Sequence, residues 1–172
     1  MTEVQQAYWL GRKGIFSLGD VSVHVYAEYD CSNLDLKKLE QSWNILIQRH
    51  DALRIVFNDD GSQQILENVE KYTINCLDLS QESKQNIEIE QEKYRSAYSH
   101  EVFPSHSWPL FAIRAIKKTS SIRLYLSFDA LIIDGWSVDL LFQEWMKLYK
   151  NLDSSLAPLA LSYRDYVLSI EA

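Results

Sequence analysis

Asp129, Asp134 and Ser137 are the residues of this chain whose types and spacing best suit a chemical site. They fall in the stretch Ser127-Phe128-Asp129-Ala130-Leu131-Ile132-Ile133-Asp134-Gly135-Trp136-Ser137. Two carboxylates offer proton acceptors, and the serine offers a hydroxyl. A nucleophilic serine needs a base, and this stretch contains no histidine. Each residue also has a plainer reading. Asp134 and Gly135 suit a turn, Ser137 suits the cap of a helix starting at Val138, and Asp139 in its first turn opposes the helix dipole.

The flanking pattern says what positions them. Ile122, Leu124, Leu126 and Phe128 alternate with Arg123, Tyr125 and Ser127, which predicts a strand running into the stretch. Val138, Leu141, Phe142, Trp145, Leu148 and Tyr149 recur at helical spacing, which predicts an amphipathic helix running out of it. A strand-to-helix turn is a common place for chemistry in α/β folds. By alternation Asp129 shares a face with Arg123 and Ser127, and it is a mere surface acid if that face meets solvent.

The rest of the chain interleaves helices and strands. Thr2 and Gln5 form a capping-box pair for a first helix that Gly11 and Gly14 end. Val21, Val23, Val25, Ala27 and Tyr29 alternate with Ser22, His24, Tyr26 and Glu28 as a strand. Ser32 or Asn33 opens a helix carrying Leu36, Leu39, Trp43, Leu46 and Ile47 on one face. Residues 53–57 and 63–66 flank Asn58-Asp59-Asp60-Gly61 as a hairpin. Residues 72–77 form a short strand, and Ser80 begins a polar helix reaching about Ser99. Residues 103–109 form a loop with two prolines; 110–116 and 122–128 are strands. Ser162 and Asp165 cap a last helix. This order predicts an α/β two-layer sandwich with a mixed sheet in a single domain, 1–172.

Three segments, taken together, resemble one family. Asp129-x-x-x-x-Asp134-x-x-Ser137 is similar to the signature of heterocyclisation domains of nonribosomal peptide synthetases. In ordinary condensation domains the same place reads His-His-x-x-x-Asp-Gly; here those histidines are Asp129 and Ala130, and Asp134-Gly135 is kept. Thr2-Glu3-Val4-Gln5-Gln6-Ala7-Tyr8-Trp9-Leu10-Gly11-Arg12 resembles the family's opening T-x-x-Q-x-A-Y-x-x-G-R. Arg49-His50-Asp51-Ala52-Leu53-Arg54 resembles its R-H-x-x-L-R, and residues 163–167 resemble a segment near the end of its first lobe.

The resemblance implies a chloramphenicol-acetyltransferase-like lobe, two of which form a V with a tunnel between them. Family domains are considerably longer than this chain, so it reads as the N-terminal lobe, excised or naturally shortened, with the C-terminal lobe missing. The implied reaction has two stages. The amine of a carrier-bound Cys, Ser or Thr thioester attacks an upstream acyl thioester, and the side chain then closes on the new amide and loses water, giving a thiazoline or oxazoline. The substrates ride on the phosphopantetheine of peptidyl and aminoacyl carrier domains, so no cofactor of its own is expected. In the family, the residues of cyclodehydration lie largely in the second lobe, so this lobe alone is expected to be inactive. The expected site residues are Asp129, Asp134 and Ser137, with Tyr8, Arg12, Arg49, Arg54 and Trp136 as structural or tunnel-lining groups. On a helix Tyr8 and Arg12 share a face, which also fits core packing with a snorkelling arginine. The second motif suggests the cationic partner of Asp134, which its apolar neighbours Ile132, Ile133 and Trp136 would partly bury: Arg54, or else Arg49. Ala130 holds the place of the histidine and cannot transfer a proton, so this chain is not expected to run the histidine-dependent version of the chemistry. Two rival readings stay open: a non-catalytic lobe that binds carrier or partner proteins, and a small stand-alone acyltransferase, against which Ala130 counts.

Composition narrows the partners. Seventeen basic against 24 acidic residues give a net charge of −7, poorly suited to nucleic acid or an anionic membrane. No apolar run is long enough to cross a bilayer, and no basic segment followed by an apolar one opens the chain, so a cytoplasmic location is expected. Cys31 and Cys76 form no C-x-x-C pair and read as reduced thiols. Of the four histidines, His24 falls in a strand and His50 ends a helix; His100, Glu101 and His106 sit close together but fit no zinc spacing, so no metal site is expected, and neither G-x-G-x-x-G nor a P-loop occurs. The exposed face of an isolated lobe makes self-association an expectation.

Overall fold

The computed structural model describes residues 1–12 and 23–170. In chain order the elements are α1 (Glu3–Gly11), β1 (His24–Cys31), α2 (Leu36–Arg49), a 3-10 turn (Asp51–Arg54), β2 (Ile55–Phe57), β3 (Gln63–Ile65), β4 (Asn75–Asp78), α3 (Lys84–Tyr98), β5 (Phe111–Lys117), β6 (Ile122–Asp129), α4 (Gly135–Lys150) and α5 (Tyr163–Ile170). The main sheet has the order β1-β6-β5-β4, and β2 pairs with β3 in a separate hairpin. β1 and β5 both run antiparallel to β6, and β4 runs parallel to β5, so the sheet is mixed.

Strand alternation sorts the two faces. Phe128, Leu126 and Leu124 pair with Phe111, Ile113 and Ala115 and point at α2 and α4. Trp43 of α2 is fully buried there, its ring centroid 5.2 Å from Phe111, 5.7 Å from Phe128 and 4.6 Å from Trp145 of α4. Trp145 Nε1 donates to Leu39 O and Ser42 Oγ, which satisfies its polar atom inside the core. The other face is not open to solvent at its middle. Tyr125 and Ile116 are buried on it against Leu79, with Ile87 and Tyr94 of α3 packed over them. The mixed sandwich is therefore as the pattern predicts, with α3 adding cover on the second face. That face ends on Asp129.

Several ends differ from the sequence reading, each for a local reason. The capping box at α1 is present: Thr2 Oγ1 accepts from Gln5 N, and Gln5 Oε1 accepts from Thr2 N. Asp35, not Ser32 or Asn33, caps α2 by accepting from Lys38 N. Asn33 instead takes a left-handed backbone, φ 57°, in the bend before it, a conformation asparagine tolerates well. Ser83, not Ser80, caps α3. Leu53 lies in the 3-10 turn, not in the strand. Gly14, Val21 and Ser22 lie outside the described residues. No helix among the described residues is long and apolar enough to cross a membrane.

Candidate functional site

Asp129 closes β6 with its side chain entirely buried (0% exposed). Its Oδ1 accepts from Arg12 Nη2 at 2.7 Å and from Leu131 N at 2.9 Å. Arg12 caps the C-terminal end of α1, and its side chain is also nearly sealed (6% exposed). Arg12 Nη1 donates in addition to Phe103 O. Gln5, near the start of α1, is buried and donates from Nε2 to Leu131 O at 2.7 Å. α1 is thus fastened at two points to the turn that follows β6. Asp129 lies on the face opposite Phe128, as alternation predicts, but it is not a surface acid, because that face is covered.

Asp134 has the opposite environment. It is exposed, and it is the N-cap of α4: its Oδ1 accepts from Ser137 N at 2.8 Å. Those hydrogen bonds from the first turn hold its carboxyl below the ordinary range. The helix therefore begins at Gly135 with Asp134 as cap, and Ser137 sits in its first turn instead of capping a later start. The expected ion pair between Asp134 and an arginine of the second motif is not formed. Arg54 is satisfied nearby: Nη2 donates to Asp51 Oδ1 at 2.6 Å, Nε to Ile47 O and Nη1 to Leu66 O. Arg49 makes a two-pronged pair with Glu144 of α4, at 3.0 and 3.1 Å, and donates to Ala157 O. A capped, solvated carboxylate needs no cation, whereas the buried Asp129 does.

His50 and Glu144 form a pair that the sequence reading missed. His50 Nε2 lies 2.7 Å from Glu144 Oε2. Burial pushes Glu144 up, but the hydrogen bonds from Arg49 and His50 outweigh it and the carboxyl is lowered on balance. The residues are 94 positions apart, and only the packing of α2 on α4 brings them together.

These elements enclose a cleft of about 620 Å³. Thr2, Gln5 and Tyr8 of the opening motif line it. So do His50, Ala52 and Leu53 of the second motif, and Ala130, Asp134, Gly135 and Ser137 of the third. Tyr163 and Tyr166 of α5 complete the wall. Trp136 stands at the start of α4 with 88% of its surface exposed, and Val4, Leu140 and Tyr166 are also largely exposed. Arg12, Arg49, Arg54 and Asp129 do not line the cleft; they brace the elements that do. Among the described residues, no group of three or more His, Cys, Asp or Glu side chains is placed to hold a metal ion.

A mixed four-stranded sheet under paired helices, with an Asp-x-x-x-x-Asp-x-x-Ser turn on a cleft, defines a condensation-type lobe. The chain belongs to the condensation-domain family, whose model matches residues 2–172. Its relatives include a phenyloxazoline synthase and a cyclization domain. It is 32% identical over 171 residues to pyochelin synthetase PchF of Pseudomonas aeruginosa, covering 97% of this chain and 9% of that protein. It is 29% identical over 174 residues to phenyloxazoline synthase MbtB of Mycolicibacterium paratuberculosis, covering 100% of this chain and 15% of the relative. Among solved structures, the EpoB cyclization-docking bidomain from Sorangium cellulosum superposes with a TM-score of 0.94 at 35% identity, over 99% of this chain and 34% of that one. The chain thus spans about a third of that bidomain and a much smaller part of the curated relatives.

Proposed function

We propose that this chain is the N-terminal lobe of a nonribosomal peptide synthetase heterocyclisation domain. With a C-terminal lobe it joins a carrier-bound acyl thioester to a carrier-bound Cys, Ser or Thr thioester, and the amide is then cyclodehydrated to a thiazoline or oxazoline. One observation carries this reading: the three motif segments, far apart in sequence, line a single cleft. The names of the relatives support the same chemistry, since one makes a phenyloxazoline and another contains a cyclization domain.

The residues divide by environment. Asp129 is a positioning residue that sets the turn through Arg12 and Leu131 N, because it has no surface to offer a substrate. Asp134 and Ser137 are the exposed polar groups of the motif on the cleft, within reach of a bound thioester. Tyr8 forms part of the wall, and Trp136, exposed at the rim between the lining residues Gly135 and Ser137, offers a surface for the C-terminal lobe to close over. The phosphopantetheine of the two carrier domains supplies the thioesters, and the chain adds no cofactor of its own.

Intact-protein mass spectrometry tests the reading. One carrier domain is loaded with an acyl group and another with cysteine, and both are incubated with this chain, with and without a separately expressed C-terminal lobe. A mass gain on the cysteine carrier followed by loss of water, only with both lobes present, is the expected result. Amide formation without water loss would reduce the function to condensation. No transfer in the presence of a folded second lobe would favour a non-catalytic lobe that binds carrier or partner proteins.

A further inference from the structure

Ala130 stands where an ordinary condensation domain has a histidine, yet the cleft is not without an imidazole. His50 comes to the same cleft from the end of α2. Its ring is held from behind. Glu144 Oε2 lies 2.7 Å from Nε2, and Arg49 grips the same carboxylate with two hydrogen bonds. Glu144 lies back from the cleft wall, and Arg49 opens onto a separate groove beside Leu152 and Leu156. The three side chains therefore form one set of contacts across the α2–α4 packing, with His50 lining the cleft and Arg49 lining the other groove.

This arrangement selects a tautomer. A carboxylate paired with arginine can only accept, so Nε2 carries the hydrogen and donates it. In the neutral ring the lone pair is then on Nδ1, which makes no hydrogen bond among the described residues. A carboxylate orienting an imidazole whose other nitrogen is left for a reacting group is the arrangement that general acid–base sites use. Glu144 from α4 touches the ring and Arg49 from α2 holds that carboxylate, while Asp134 at the start of α4 and Tyr8, Tyr163 and Tyr166 from α1 and α5 line the same cleft.

We propose that His50 is the proton-transfer residue of this cleft, with Glu144 and Arg49 as its positioning residues. The assignment rests on the condensation reading given above. In the amide-forming step the amine nitrogen attacks the thioester carbonyl, the C–N bond forms and the C–S bond breaks. His50 Nδ1 takes the proton released from nitrogen and returns it to the departing thiolate, so the ring ends neutral.

Two measurements test it. Long-range 1H–15N correlation spectra of this chain read the His50 tautomer directly. The Nε2–H form is expected, and an Nδ1–H form overturns the assignment. The second measurement is the carrier-loaded mass-spectrometry assay with this chain and a separately supplied C-terminal lobe. H50Q, which keeps a donor toward Glu144 but cannot accept and release a proton, is expected to form amide about 100-fold more slowly and to lose the acid limb of the pH–rate profile. Added imidazole is expected to restore part of the rate to H50A. E144Q, with the ring no longer oriented, is expected to fall between H50Q and the parent. If the parent pair forms amide and folded H50Q matches it in rate and pH profile, His50 is a structural staple and the proposal fails while the condensation reading stands. If the parent pair forms no amide, the condensation reading fails and the proposal falls with it.

Discussion

Arg12 Nη2 lies 2.7 Å from Asp129 Oδ1 inside the protein, joining the end of α1 to the end of β6 across 117 residues. Asp134, five residues after Asp129 in the same motif, is solvated and holds a helix end. The two carboxylates should therefore respond differently to the same change. D129N removes the charge that accepts from Arg12 Nη2 and Leu131 N in a sealed site and should cost about 3 kcal/mol. D134N should be near neutral, since asparagine caps a helix as well as aspartate, while D134A should cost about 1 kcal/mol. Urea denaturation of the three variants checks this; equal losses for D129N and D134N would remove the distinction.

The Glu144 carboxyl is lowered below its ordinary value of 4.5. A lowered carboxyl contributes stability that is present above the unfolded value and is lost as pH falls through the folded one. E144Q should thus melt below the parent at pH 7. The gap should close as the pH is taken below about 4.5, where the parent also loses the charge. Melting temperatures of both proteins from pH 7 to pH 3 give the comparison, and a gap independent of pH would assign the loss to packing.

Two glycines predict opposite signs. Gly135 opens α4, and an added Cβ there meets nothing within 4 Å, so G135A should stabilise by about 0.5 kcal/mol through the unfolded state. Gly61 has φ +84° at the tip of the β2–β3 hairpin, and a Cβ added there would sit 3.4 Å from Met1 Cε and 3.5 Å from the Trp9 ring. G61A should cost about 1 kcal/mol. Chemical denaturation of the two variants side by side checks both signs.

Trp136 is 88% exposed and should add little to the stability of the lobe. W136A should shift unfolding by under about 0.5 kcal/mol. If the C-terminal lobe closes over this rim, the same change should weaken its binding by about 2 kcal/mol, as loss of a central aromatic anchor does. Calorimetric titration of one lobe with the other measures it, and unchanged affinity would move the contact elsewhere.

Legibility in the sequence follows the range of each interaction. The capping box at Thr2, the apolar face of α2 around Trp43 and the alternation in β6 are set by neighbours a few positions apart, and they are readable. The partner of Asp129 is not, because nothing local marks Arg12 as the cation that folding brings to it. The expected pairing of Arg54 with Asp134 fails for a related reason. Arg54 finds Asp51 three residues away and three backbone carbonyls, so it has no need of a distant acid. Alternation gives the face of Asp129, but whether that face is covered depends on α3 and α1, whose docking no period encodes. The His50–Glu144 pair is of the same kind.

The sheet joins β1 to β6, with His24 opposite Asp129. On a ribosome adding about 5–20 residues per second, β1 emerges several seconds or more before β6, its one neighbour in the sheet among the described residues, exists. During that wait Val25, Ala27 and Tyr29 have no strand to lie against. The chain's vulnerable period is set by topology, not by final stability: until β6 is made, nascent lobes carry an unmatched strand edge, the kind of surface on which strands of neighbouring chains pair.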